Sequence, residues 1–261
     1  MKNNIKYALL LFLLFVIYSI LKNTIFLDTH LLVKKVEPVT VTRDTTNRAY
    51  YSQEVGKVML DAMAKGNCIK VQTKEKVQFE QLAKQAWVDM KGKRAYCSVK
   101  LLYVLDMLAQ YSEKNNQHFA LLSLIRLGSK NHGLVLPDST ILCTAVDINI
   151  FDGNEIRFKN PNETDKAEAL ACLTALIQAL PKGNYSIGTP RPKGGGDIDT
   201  ANDYFLPVTD LSQIGRSQPL ENIVDSRALL AIKQVMANNS QAHIDSWYPD
   251  AADHIHLSVK N

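Results

Sequence analysis

The chain has 261 residues, 46% hydrophobic and 21% charged, enough for one large domain or one domain with appendages. Its formal net charge of +4 is mild, and no stripe of Lys and Arg interleaved with aromatics occurs, so composition speaks against a nucleic-acid binder. A small positive charge is compatible with work near an anionic polymer or surface.

Lys2 and Lys6 precede a mostly apolar run from Tyr7 to Leu21, which Lys22 closes. The run is shorter than the roughly 20 residues of a full span. It reads as a signal core or, if Ile25 to Leu27 extend it, as a single anchor. No small-x-small cleavage site follows. The expectation is an uncleaved membrane segment over 1–22 with its positive flank inside the cell. A polar linker over 23–50 would then lead to an exported remainder in the cell envelope, periplasmic or otherwise extracytoplasmic. In an oxidising compartment the four cysteines invite pairing, Cys68 with Cys97 and Cys143 with Cys172; four buried free thiols are the alternative. No C-x-x-C spacing occurs, which disfavours a zinc knuckle.

Apolar residues at helical spacing predict helices over 51–65 and 76–90 (Val55, Val58, Met59, Met63; Val77, Phe79, Leu82, Ala86). Together they form a helical region over 51–95. A third helix is expected over 98–111, with Ser98 as N-cap. The pattern then changes to strands over 118–127 and 141–151, with a turn-rich loop over 128–133 between them and a tight turn at 152–155. A helix over 164–180 follows, capped by Thr164 and stopped by Pro181 and Gly183. A strand over 185–190, a long loop over 191–205, a helix over 221–237 and two closing strands complete the chain. Helices first and strands later predict an α+β fold.

The end of the chain, "DHIHLSV", places His254 and His256 on one face of a strand and Ile255 on the other. Asp147 lies between Val146 and Ile148. A lone carboxylate there is costly unless it is paired or bound to a metal; a solvated face shared with Asn149 is the alternative. His132 sits in the turn between the two middle strands. Two or three imidazoles with a carboxylate form the donor set of a zinc site that keeps one position open.

The stretches "SLIRLGSKNHG", "TAVDI" and "DHIHLSV" resemble the zinc peptidases that cut peptidoglycan stem peptides. These are the D-Ala-D-Ala metallopeptidases, the penicillin-insensitive murein endopeptidases and the phage L-alanyl-D-glutamate endopeptidases, which share their fold with the hedgehog signalling domain. The resemblance covers residues 96–261 and rests on those three motifs. It implies an antiparallel sheet with flanking helices, a Zn2+ cofactor and His132, Asp147 and His256 as its ligands. It also implies Asp253 as the general base, His254 as the added histidine of the H-x-H versions, and Arg126 as a group binding substrate carbonyl or carboxylate. Ser129 falls in the same motif as a substrate contact, although it stands three residues before His132 rather than two. Arg191, in the "IGTPRP" stretch, is a further expected substrate contact. The stretch from His132 to Asp147 is about twice the family's length: either a longer hairpin keeps both ligands in place, or His132 is not a ligand. The expected activity is zinc-dependent hydrolysis in peptidoglycan peptides. The alternative is a non-enzymatic module that binds peptidoglycan or a partner on a degenerate site.

Overall fold

The computed structural model describes residues 46–65, 69–71, 73–126, 132–151, 154–155, 163–191, 204–206, 210–251 and 253–260. Among the described residues no helix is long and apolar enough to cross a membrane. The expected membrane segment over 1–22 lies outside them, as do most of the linker, Cys68, Ser129 and the glycine run at 194–196.

The fold is α+β with mixed sheets. Helix α1 (Arg48–Ala64) starts within the expected linker, because the Asn47 side chain accepts a hydrogen bond from the Tyr50 N–H at 3.2 Å and caps it. Strand β1 (Ile69–Val71) follows, then α2 (Thr73–Gln85). The expected helix over 76–90 ends early. Ala86 takes a left-handed φ of 67°, and the chain turns into a hairpin of β2 (Val88–Met90) and β3 (Lys93–Cys97). Lys91 and Gly92 make its two-residue turn, both at positive φ, and the Asp89 carboxylate accepts from the Gly92 N–H at 2.9 Å. Helix α3 (Val99–Asn115) is capped by Ser98 as expected, its hydroxyl accepting from the Leu101 N–H.

Strand β4 (Phe119–Ser123) is shorter than the apolar run that predicts it. The expected strand over 141–151 is two strands. After β5 (Gly133–Val135), β6 (Ile141–Cys143) belongs to one sheet and β7 (Ala145–Phe151) to another. Thr144 is the crossing point: its N–H donates to the His132 carbonyl and its carbonyl accepts from the Val259 N–H. β8 (Asn154–Glu155) closes a hairpin onto β7. Helix α4 (Glu163–Ala179) begins one residue before Thr164, so Thr164 is its second residue and not its cap. Then come β9 (Gly183–Thr189), α5 (Ser226–Asn238), β10 (Ala242–Pro249) and β11 (Ile255–Val259). Asp225 caps α5, accepting from the Ala228 N–H.

The larger sheet runs β1-β4-β7-β11-β9-β10 with β8 on β7; the smaller runs β2-β3-β6-β5. The antiparallel sheet implied by the resemblance is corrected to a mixed one: β1 with β4, β9 with β10, and β3 with β6 are parallel. Each parallel pair is joined through at least one helix or a long crossover, which is what parallel pairing requires. Alternation along β7 and β11 sends Val146, Ile148, Ile255 and Leu257 into the core, all fully buried. Asp147 and His256 point the other way. Neither expected disulfide forms: Cys97, Cys143 and Cys172 are buried and none is in a disulfide. Cys97 and Cys143 face each other across the β3–β6 pair, and the hydrogen bond between them, with burial, pushes the Cys97 thiol well above its ordinary pKa.

Candidate metal centre

The register of the central strands builds the site. In the antiparallel β7–β11 pair His256 lies opposite Asp147, so their side chains share a face. On the far side of β11, Gly188 of β9 is paired with His256. His254 stands just before β11, two residues from His256, and points the same way. His132 arrives from the second sheet immediately before β5. Gly133 is required there, because a Cβ would come within 2.6 Å of the Leu142 carbonyl oxygen.

Asp147 is fully buried at the centre of this convergence. Its Oδ1 lies 2.8 Å from His256 Nδ1 and 3.5 Å from His254 Nε2. Its Oδ2 lies 3.2 Å from His132 Nε2 and 3.2 Å from Arg126 Nη1. Both are ion-pair distances, and Oδ2 has no hydrogen bond among the described residues. Burial alone would raise the Asp147 pKa. The close approach of His132, the His256 hydrogen bond and the nearby His254 overcome that and hold the carboxyl well below the usual carboxylate range.

Each imidazole has an outer nitrogen tied down and an inner nitrogen facing a carboxylate. His132 Nδ1 is 3.4 Å from the Leu124 carbonyl, an acceptor only, so Nδ1 carries the proton and Nε2 has its lone pair toward the centre. His254 Nδ1 donates to Asp253 at 2.8 Å. His256 Nε2 meets Ser258 Oγ at 2.8 Å, and Ser258 in turn bonds the Tyr248 phenol. This outer tethering is what orients imidazoles toward a metal. The inner atoms of His132, Asp147 and His256 all lie within 4.8 Å of one another, as do those of Asp250, His254 and His256. A donor set of imidazole nitrogen and carboxylate oxygen with an unsatisfied buried oxygen fits a divalent first-row cation. These buried clusters can bind a metal ion.

His132, Asp147, His254 and His256 therefore lie together, and the lengthened hairpin leaves His132 Nε2 3.2 Å from Asp147 Oδ2. Asp147 takes the buried position, not the solvated one. Asp253 is different: its side chain is 68% exposed and turned to His254 Nδ1, so it holds that ring rather than facing the centre directly. Strand β11 begins only at Ile255, which leaves Asp253 free to turn outward. Arg126 lies at the mouth, 45% exposed, with Nη1 3.4 Å from His132 Nε2. Arg191 donates its backbone N–H to the Ala251 carbonyl at 3.2 Å, and no contact ties its side chain to the centre among the described residues. Asp250 is the residue that motif reading missed. Its Oδ2 is 3.9 Å from both His254 Nε2 and His256 Nδ1. The available signal was an acid four residues ahead of His254 in the turn between the last two strands.

Glu75 of α2 borders the arginine. Its side chain is buried, and burial raises its pKa despite the opposing charges of Lys74, 3.3 Å away, and Arg126. The native state thus keeps this proton to higher pH than the unfolded chain does. The cost of ionising Glu75 in the fold sets in as pH rises through the unfolded carboxyl value and is complete above the folded one. Glu75→Gln is expected to raise the melting temperature more at pH 7 than at pH 4. Equal effects at the two pH values, read by thermal unfolding, would contradict this.

No family model, curated protein or solved structure matches the chain.

Proposed function

We propose that the chain is a zinc-dependent peptidase of the cell envelope that hydrolyses peptide bonds in peptidoglycan stem peptides or cross-links, on a fold of the hedgehog and D-Ala-D-Ala metallopeptidase type. One observation carries the reading: the fully buried Asp147 carboxylate meets the imidazole nitrogens of His132, at Oδ2, and of His256 and His254, at Oδ1, and its Oδ2 has no hydrogen bond among the described residues. A buried carboxylate is tolerated when a cation completes it. Bound there by His132, Asp147 and His256, zinc would supply Lewis acidity and make water a nucleophile at neutral pH.

The chain's own groups supply the rest. His254, steadied by Asp253, and Asp250 are the basic side chains beside the three ligands. Arg126, with Nη1 3.2 Å from Asp147 Oδ2, would bind a carbonyl or carboxylate oxygen of a peptide, and Arg191 would be a second such contact. The N-terminal apolar segment would hold the site at the membrane facing the wall.

The test is metal analysis of the purified full chain by mass spectrometry, with muropeptide hydrolysis before and after chelation. Bound zinc and chelator-sensitive hydrolysis are expected, with zinc content lowered and hydrolysis lost in His256→Ala. A chain that binds no metal and releases no peptide abandons the reading.

A second reading, a non-catalytic peptidoglycan-binding module, has one observation in its favour. Arg126 Nη1 lies 3.2 Å from Asp147 Oδ2 and 3.4 Å from His132 Nε2, so the guanidinium itself puts a positive charge among the ligands. Peptidoglycan binding without turnover, unchanged by chelator, would select it.

A further inference from the structure

The donors at the centre outnumber what one tetrahedral zinc uses, and they divide into two sets around Asp147. On one side, Asp147 Oδ2 lies 3.2 Å from His132 Nε2. On the other, Asp147 Oδ1 lies 3.5 Å from His254 Nε2, which is 3.9 Å from Asp250 Oδ2. His256 Nδ1 is 2.8 Å from Asp147 Oδ1 and 3.9 Å from Asp250 Oδ2. With one lone pair it can complete either set but not both.

We propose that the centre holds two divalent cations bridged by the Asp147 carboxylate, the first on His132, Asp147 and His256 and the second on His254, Asp250 and Asp147. The proposal rests on the metal-site reading above and deepens it. In this arrangement His254 and Asp250 are ligands rather than proton carriers, and Asp253 is the positioning residue that fixes the His254 ring. Paired cations about 3.5–4 Å apart, clamping both oxygens of an in-line displacement, are a recurrent hydrolase device. A carboxylate whose two oxygens face different imidazoles is suited to bridge such a pair.

The second position has its own structural provision. Asp250 stands in the turn after β10, with its N–H donating to the Thr189 carbonyl at 2.9 Å. Its side chain lies against β9 where Gly188 leaves room: a Cβ at 188 would come within 2.8 Å of Asp250 Oδ2 and 2.9 Å of its Cβ. Gly188 is also the strand partner of His256. The glycine therefore admits the carboxylate to the centre. Asp253, outside the centre, spends its hydrogen bond on holding the His254 ring with Nε2 inward.

The experiment is zinc stoichiometry of the full chain, measured by mass spectrometry after equilibration with zinc and removal of the excess, with circular dichroism as the check on folding. The wild type is expected to hold about two equivalents. Asp250→Ala should hold about one, and so should Gly188→Ala, which leaves every ligand side chain in the sequence but whose added Cβ would press on Tyr248 Cε2 and on the Asp250 side chain. His132→Ala should also fall to about one, by loss of the other cation. Saturation of the wild type at one equivalent overturns the pair while leaving the single-metal peptidase reading standing. No bound zinc at all overturns both.

Discussion

Asp147→Asn is expected to remove metal binding from the chain while leaving its fold intact. The carboxylate lies at the meeting point of three imidazoles, with Oδ2 3.2 Å from His132 Nε2 and Oδ1 2.8 Å from His256 Nδ1 and 3.5 Å from His254 Nε2. Outer tethers such as Ser258 or Asp253 typically alter metal affinity about 10- to 100-fold when changed. Loss of the ligand on which both sets converge should exceed about 100-fold. Asparagine keeps the shape and one carbonyl oxygen, so the buried strand remains packed between Val146 and Ile148. Calorimetric titration with zinc, beside an unfolding curve in chelator, separates the two effects. Unchanged zinc affinity in Asp147→Asn would remove the centre from the account.

Phe119→Ala is expected to do the reverse, lowering stability by about 3–5 kcal/mol without changing the ligands. Phe119 is fully buried on β4, paired in register with Phe151 of β7, their ring centroids 5.2 Å apart, and its ring also lies 6.1 Å from that of Tyr111 of α3. Truncating it leaves a cavity between a helix and the two strands, in a fold whose whole stability is of the order of 5–15 kcal/mol. The ligand-bearing pair β7–β11 lies at the opposite end of β7 from Phe151, so zinc affinity of the folded fraction should hold. Denaturant unfolding in chelator reads the first effect and zinc titration at low temperature the second. A loss below about 1 kcal/mol would show that the site collapses around the missing ring.

The two substitutions separate what local sequence dictates from what assembly dictates. Ser98 ahead of an apolar periodic run specified the start of α3 in the residues themselves, because a cap and a stripe are properties of neighbours in the chain. The shared face of His254 and His256 was legible for the same reason, since it needs only the period of a strand. The end of α2 was not: Ala86 and Lys91 adopt positive φ because β2 and β3 must fold back, although their residue types do not demand it. Thr144 carries no signal that a continuous apolar run will divide between two sheets there. That division follows from which strands find partners, β5 for β6 and β11 for β7.

The four histidine and aspartate positions of the centre were readable one by one, as chemistry-bearing types in apolar surroundings. Their convergence depended on the Asp147–His256 register and on the return of the hairpin that carries His132, contacts spanning over a hundred residues in the first case. Asp250 and the outward turn of Asp253 were decided by tertiary structure alone. One carboxylate is let in by the missing side chain of Gly188 on a strand distant in sequence, while the other is left off the end of β11, where a hydrogen bond to His254 Nδ1 is the nearest satisfaction for its charge. Residue types name the atoms able to bind a cation, but only the packing of β7, β9 and β11 determines which of them point at it.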